Sequence, residues 1–393
     1  MIKKLIILWL VFGFLGCCEA EAYYNQFPKL PSATQVALLT IEFQKYQKLA
    51  QSSWPQLRTY LLIKKGMHHS SIPMIRSRLQ LLGDLSQDSP IYQKKLYDKS
   101  LYLAVLHFQH RHGLQPDGVI GPKTLERLNI SPTQRLQQIL INIRRWQKFL
   151  IPLPEQYIWV NVPNYELDVV KNNDLILNIH VIVGKSDRQT PEISSKINTI
   201  ITNPTWTVPD SIIKKDLIPK ILEDRNYLNK KNIHIYKDWS DNSSQINPKN
   251  INWVKLKKMD PIPYRFTQAP GKNNALGRLK FVFSNTQSIY LHDTPEKNLF
   301  DEEARTLSSG CIRLKDPVAL MNYILRLNQN ISSTLVEKNL NSGITRYFNL
   351  VHPIPIFLTY FTAWIDLEGN LEFRDDIYLK DQLTPNNSSQ NSH

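Results

Sequence analysis

Tyr290-Leu291-His292-Asp293-Thr294-Pro295 and Ser308-Ser309-Gly310-Cys311-Ile312-Arg313-Leu314 are the stretches whose reading decides the fold. The first ends a predicted strand, Ser288 to His292, on a histidine. The second places Cys311 nineteen positions later, directly behind a glycine, in a loop that precedes a predicted helix from Asp316 to Asn328. A free thiol has a pKa of about 8.5, so little of it is thiolate at neutral pH. A neighbouring imidazole takes its proton or pairs with the thiolate, and either creates a usable nucleophile. Gly310 permits a sharp turn and leaves room for a carbonyl. The backbone N–H groups of Ser309, Gly310 and Cys311 are then candidates for an oxyanion hole, where one donor is worth about 3 kcal/mol. A third group should orient the imidazole. The Asp293 backbone carbonyl and the Asp293 carboxylate both qualify.

A histidine and a cysteine at this spacing occur in many long chains. The plain alternatives are a buried apolar cysteine and a hydrogen-bonded structural histidine. Cysteine usage argues for reactivity. The chain holds Cys17, Cys18 and Cys311. Met1-Ile2-Lys3-Lys4 followed by the apolar run Leu5 to Leu15 has the form of a signal peptide, too short for a membrane helix of about 20 residues. Ala20-Glu21-Ala22 supplies small residues for cleavage, so residues 1–22 are expected to be removed. Leu15-Gly16-Cys17 offers a competing end, with Cys17 lipidated. After cleavage at Ala22 one thiol remains, in a compartment where cysteines are normally paired or omitted.

The 393 residues are 42% hydrophobic and 21% charged, which excludes disorder throughout and suggests two or three domains. The net charge of +14 survives cleavage, because Lys3, Lys4, Glu19 and Glu21 cancel. A basic surface suits an anionic polymer or lipid. Export sets nucleic acid aside as a partner.

Residues 23–70 read as a helical scaffold, with Val36, Leu39, Phe43 and Tyr46 at helical spacing until Trp54-Pro55. Residues 71–130 read as a small three-helix domain. Its helices carry Ile75, Leu79 and Leu82, then Leu101, Val105 and Phe108, then Lys123 to Leu128. Gly113 to Pro122 supplies tight turns between them. Residues 131–150 form an amphipathic helix with Leu136, Ile139, Ile143 and Trp146 on one stripe. From Tyr157 the pattern alternates as strands do: Ile158 to Val162, Tyr165 to Val170, Ile176 to Val183, a pair within Ile197 to Trp206, and Gly277 to Phe283. A final pair is expected at Ile356 to Asp366 and Asn370 to Phe373, before a polar tail over 381–393. His107, His110 and His112 share one helix and His68-His69 are adjacent, but no cysteine or His-Glu-x-x-His pattern supports a metal. No metal and no cofactor are expected.

Two resemblances follow from these residues. Arg78-Leu79-Gln80, Ala104 to Gln109, Gly113-Leu114, Asp117 to Pro122 and Thr124 resemble the three-helix peptidoglycan-binding domain. The His292 and Ser308-to-Arg313 stretches resemble the L,D-transpeptidases with a YkuD-type catalytic domain, in their larger YcbB-type branch. Ser309 stands where the usual signature has His, which leaves the base role to His292. Ile182 to Lys185 with Thr190-Pro191, Asn203 to Pro209, Asn274 to Arg278, Phe361 to Trp364 and Phe373 to Tyr378 also look like that branch.

The resemblance implies an α+β chain: the small helical domain, then a mostly β catalytic domain over 131–380 with a capping insertion about 187–270. It implies that the Cys311 thiolate attacks the third-residue carbonyl of a peptidoglycan stem tetrapeptide. D-Ala leaves, and the thioester passes to an amine acceptor to form a 3→3 cross-link. Water as acceptor would give an L,D-carboxypeptidase, and a wall-binding protein with a dead site is the alternative from another class. Carbapenems acylate such cysteines. Arg313 would brace the loop or meet a substrate carboxylate, and Tyr290, on the same strand face as His292, would line the cleft or pack in the core. Asp293, Asn203 and Trp206 complete the candidate substrate contacts. The partners implied are the donor and acceptor stem peptides, in the periplasm or cell envelope.

Overall fold

The computed structural model describes residues 32–382 except 60, 91, 92, 151 and 241. The expected signal segment, Cys17 and almost all of the polar tail lie outside the described residues. Among the described residues, no helix is long and apolar enough to cross a membrane.

Five helices lead the chain: α1 (Ser32–Leu49), α2 (Ile72–Leu82), α3 (Lys99–Arg111), α4 (Pro122–Asn129) and α5 (Pro132–Gln147). Helix α5 starts where its sequence says, with Ser131 and Gln134 forming a reciprocal capping box. Helices α1 and α5 do not belong with α2–α4. They pack on the barrel through Leu39, Tyr46, Ile139 and Trp146, against Trp159, Phe361 and Trp364. Trp146 stacks on Phe361 with ring centroids 4.0 Å apart. Gln35, polar within the apolar stripe of α1, is fully buried because its amide serves the backbone of Ile365, at 2.6 and 2.9 Å.

Helices α2, α3 and α4 enclose a core of their own. The segment before them belongs to that core, which differs from the expected scaffold boundary at residue 70. Leu57 and Ile63 are buried in it, and Ile63 bridges Ile120. Arg78 anchors this segment, stacking 4.3 Å from the Trp54 ring and donating to the Pro55 carbonyl at 2.6 Å. The signature turn is likewise internal. Gln109 donates to the Asp117 carboxylate (2.8 Å) and the Val119 carbonyl (3.1 Å), and accepts from the Gly118 N–H (2.8 Å). These residues are spent on holding the domain together.

The second layer is a sheet of nine strands: β1 (Gln156–Asn161), β2 (Glu166–Lys171), β3 (Asp174–Gly184), β4 (Ile193–Thr202), β8 (Leu279–Phe283), β9 (Leu291–His292), β10 (Thr306–Ser308), β11 (Ile312–Leu314) and β12 (Arg346–Thr359). The order β3-β11-β9-β8-β4-β12-β1-β2 closes on itself through the β2–β3 pairing, giving an eight-strand barrel with β10 added at the end of β3. Inward residues Val181, Phe281, Leu291, Ile312 and Leu314 fill it, together with Leu320, Met321 and Ile324 from helix Pro317–Leu327. Each such side chain contributes about 1.5–3 kcal/mol when fully buried.

Between β4 and β8 the chain forms a separate cap, a three-strand sheet of β5 (Trp206–Thr207), β7 (Arg265–Gln268) and β6 (Ile233–Tyr236) with short helices over 210–223 and 253–257. Its core contains Val208, Leu217, Trp253 and Phe266. The cap starts after Asn203, not near 187: β4 is a central barrel strand. The chain leaves the barrel at Asn203, whose φ is +46°, and the following Pro204 cannot continue the ladder. The strand pair expected within 197–206 is therefore one barrel strand and one short cap strand. The late strand expected over 356–366 also divides, into β12 and β13 (Ala363–Ile365), and β13 pairs with β14 (Leu371–Phe373).

Helix α3 docks the small domain onto β14. Arg111 reaches both Asp84 oxygens at 2.6 Å and the Leu371 carbonyl at 3.1 Å. Burial would raise the Asp84 carboxyl, but Arg111 and His107 hold it below its ordinary value. Arg111→Ala should leave Asp84 buried without its partner and cost about 3–5 kcal/mol. Urea unfolding measures this, and a loss under about 1 kcal/mol would show that Arg111 is a surface ion pair in effect.

Candidate active site

The site is built on the outer face of the barrel. Strand β9 is only two residues long, held between β8 and β11. Its register pairs His292 with Lys280 on β8 and with Arg313 on β11. Partners across a ladder share a face. Leu291, Phe281 and Ile312 point inward, so His292, Lys280 and Arg313 point outward. Tyr290 and Cys311, each two residues further back, join the same row; the Tyr290 carbonyl accepts from the Ile312 N–H at 3.1 Å. The cap covers this row. Together they line a cavity of ≈ 1240 Å³ that includes Cys311, His292, Tyr290, Arg313, Lys280 and Trp206.

His292 is buried at 5% exposure, with Nδ1 2.5 Å from the Asp293 carbonyl oxygen. A carbonyl only accepts, so Nδ1 carries the hydrogen and Nε2 is left as acceptor. The Asp293 carboxylate is engaged elsewhere, accepting from the Arg278 N–H at 2.9 Å and pairing with Lys297 at 2.8 Å. The orienting group is thus the carbonyl. Gly277, with φ +60°, makes this possible, because a Cβ there would lie 2.4 Å from the Asp293 carboxyl group. Burial first, then Arg313, with Lys280 and Lys297 adding, pushes the imidazole down to about 3 against the pull of its Asp293 bond.

Cys311 is half-buried, with Sγ 3.7 Å from the Ser288 carbonyl oxygen. Burial raises its pKa, and hydrogen bonds from the Tyr290 backbone and side chain, with the charges of Lys280 and Arg313, offset part of that rise. The Tyr290 hydroxyl in turn bonds with Trp206 of the cap, and burial keeps it protonated. At neutral pH the resting pair is therefore a thiol and a neutral imidazole.

The turn before Cys311 is tied from several sides. Ser308 Oγ donates to the Cys311 carbonyl at 2.5 Å and accepts from the Gly310 N–H at 3.1 Å. Thr190 Oγ1 donates to the Gly310 carbonyl at 2.7 Å and accepts from the Gly184 N–H at 2.9 Å. Tyr378 donates to the Gly184 carbonyl at 2.6 Å. Gly310 has φ +113°, where a side chain would be strained.

Several expected residues stand differently. The Gly310 N–H is occupied by Ser308, which removes it from the three expected oxyanion donors. Cys311 precedes strand β11, and the helix follows only at Pro317. Arg313 is braced by Glu296 at 2.7 Å while still lining the cavity. Trp206 and Tyr290 both line it. Asp293 and Asn203 are not among its lining residues and make no case as substrate contacts. Asn203 is 5% exposed and donates to the Asn339 carbonyl at 2.8 Å, holding the barrel exit to a neighbouring helix. Among the described residues no three His, Cys, Asp or Glu side chains group as a metal site. Sequence reasoning missed Lys280 and the bracing roles of Thr190, Ser308 and Tyr378. Strand alternation puts Lys280 outward, but only the β8–β9 register sets it beside His292.

Two stretches of the chain match known families. Residues 155–337 match the YkuD family, described as "L,D-transpeptidase catalytic domain". Residues 68–128 match "Putative peptidoglycan binding domain". The likeness to the L,D-transpeptidase catalytic domain thus follows a likeness to the peptidoglycan-binding domain along the chain. A relative from Haemophilus influenzae (strain ATCC 51907 / DSM 11121 / KW20 / Rd), described as "Putative L,D-transpeptidase", is 36% identical over 250 residues, which is 63% of this chain and 48% of that protein. The chain thus spans about half the length of that relative. Among solved structures, an L,D-transpeptidase from Stackebrandtia nassauensis is 13% identical, covering 78% of this chain and 97% of its own, with a TM-score of 0.26. One from Xylanimonas cellulosilytica DSM 15894, residues 123–326, is 13% identical, covering 77% and 100%, with a TM-score of 0.24. Overlaps of that size add nothing to the fold described above.

A resting thiol predicts how Cys311 reacts with iodoacetamide. The alkylation rate should keep climbing with pH through and above about 8.5, the ordinary thiol value. Mass spectrometry across pH measures it. A rate already level at neutral pH would mean a thiolate–imidazolium pair instead.

Proposed function

We propose that this protein is a cysteine L,D-transpeptidase of the cell envelope. The observation that carries the reading is one row of side chains: His292 on β9 and Cys311 at the residue before the adjacent β11, beneath a cap, on the floor of a cavity large enough for a peptide. The family matches support peptidoglycan as the substrate class, and its stem peptides are the acyl donors of this reading.

The chemistry follows from the protonation states. Nε2 of His292 accepts the Sγ proton as Cys311 attacks the third-residue carbonyl of a tetrapeptide stem. The N–H groups of Ser309 and Cys311 face the developing oxyanion, each worth about 3 kcal/mol if well aimed. The surroundings that hold imidazole down to about 3 also make imidazolium a strong acid. It therefore gives its proton to the departing amine of D-Ala, and the tetrahedral intermediate collapses to a thioester. An acceptor amine then attacks the thioester, His292 takes its proton, and the thiol is returned with a 3→3 cross-link formed. Water in place of the amine would release a tripeptide.

The test is incubation with a disaccharide tetrapeptide, followed by chromatography and mass analysis. D-Ala release with a cross-linked dimer is the expected result, and release with tripeptide alone would assign hydrolysis. Both should vanish in Cys311→Ala; persistence there sinks the proposal. His292→Ala should slow D-Ala release far more at neutral than at high pH, where the thiol ionises unaided. Equal loss at both would remove His292 as the base. Thr190→Val keeps the shape but loses the tie to Gly310, and a hydrogen bond of about 1–1.5 kcal/mol corresponds to roughly a tenfold slower release. An unchanged rate would show that the turn holds itself.

A further inference from the structure

Because burial keeps His292 neutral, the resting site lacks the imidazolium that would otherwise balance a thiolate. Three cations surround the row. Two are paired with carboxylates: Arg313 with Glu296 at 2.7 Å and Lys297 with Asp293 at 2.8 Å. The third, Lys280, has no carboxylate partner among the described residues. It stands opposite His292 across the β8–β9 ladder and lines the cavity. Its Nζ sits 3.7 Å from the centre of the Tyr290 ring, and that ring stands edge-on to His292 at 5.7 Å. An aromatic face fixes an ammonium in place without neutralising it, and a half-buried charge is poorly screened by salt.

We propose that Lys280, seated on Tyr290, is a positioning residue whose charge stabilises the Cys311 thiolate and the oxyanion formed on attack. The proposal rests on Cys311 being the nucleophile. The electrostatics agree in sign from both ends: Lys280 lowers the thiol's pKa, and Cys311 raises that of Lys280, whose own burial lowers it. Lys280 also disfavours imidazolium, so it favours return of the proton to the leaving amine. Other charged groups face the same space. On the cap, the Asp210 carboxylate accepts from the Ile262 N–H at 2.8 Å, and Asp216 is paired with Arg188. Lys185, Lys220 and Lys231 also line the cavity. The cations that lower the Cys311 thiol are Lys280 and Arg313.

The experiment measures iodoacetamide alkylation of Cys311 against pH in the full chain, for the parent, Lys280→Met, Lys280→Gln and Lys280→Arg. Removing this opposite charge should move the midpoint up by about one pH unit in the Met and Gln variants. Arg should keep it near the parent value. Thermal melting identifies any variant that has not folded, and two neutral replacements guard against the loss of one. An unchanged midpoint in folded Met or Gln variants overturns the proposal. So does an equal shift in Arg, because that would trace the effect to packing. Alkylation needs no wall peptide. A charge-dependent midpoint with no D-Ala release therefore sinks the transpeptidase reading and leaves the thiolate effect standing, while normal release with an unmoved midpoint overturns only the role of Lys280.

Discussion

The site depends on the pairing of strand β9 between β8 and β11. Two residues, Leu291 and His292, make this strand. Leu291 is buried in the barrel core, and that fixes which way His292 points. A slip of one residue would put the imidazole into the apolar interior and the leucine into the cavity. The same register delivers Lys280 and Arg313 to either side of the imidazole. The row that holds His292 and Cys311 is therefore a by-product of barrel packing. Its precision is inherited from a core that would be costly to disturb.

What the barrel does not fix is protonation, and there the cap matters. By covering the row it buries His292 and Cys311, which raises the thiol and lowers the imidazole. A site of this kind stores no thiolate. On the proposed mechanism the charge forms only as substrate arrives, with Tyr290, Lys280 and the backbone amides placed to receive it. Trp206 links cap to barrel through the Tyr290 hydroxyl. The helical domain is fixed as firmly, since Arg111 and Asp84 bury a charge pair at its junction with β14. Its signature residues Gln109, Asp117 and Gly118 bond to one another, so the motif specifies a fold.

Much of this was legible in the sequence because it depends on local rules. The stripe of Leu136, Ile139, Ile143 and Trp146 and the alternation through Phe281 and Phe283 each announce an element from a few neighbours. The pair His292 and Cys311 was legible through chemistry, since a single thiol behind a glycine needs a reason. What sequence could not give was the long-range accounting of hydrogen bonds. Asn203 looked like a site residue beside Trp206, yet its amide holds a backbone carbonyl at Asn339. Asp293 offers both a carboxylate and a carbonyl to the imidazole, and the fold chooses the carbonyl because the side chain is taken by Arg278 and Lys297. Gly310 looked like a free donor, yet Ser308 uses its N–H. In each case the residue type was informative and its partner lay where only the fold could put it.

The central claim is that Cys311 is an acyl-accepting nucleophile in this site. Intact-protein mass spectrometry after incubation with a carbapenem tests it most directly, with Cys311→Ala beside the parent. The account predicts a drug-sized mass gain in the parent, mapped to Cys311, and none in the variant. No adduct on folded, reduced protein would contradict it.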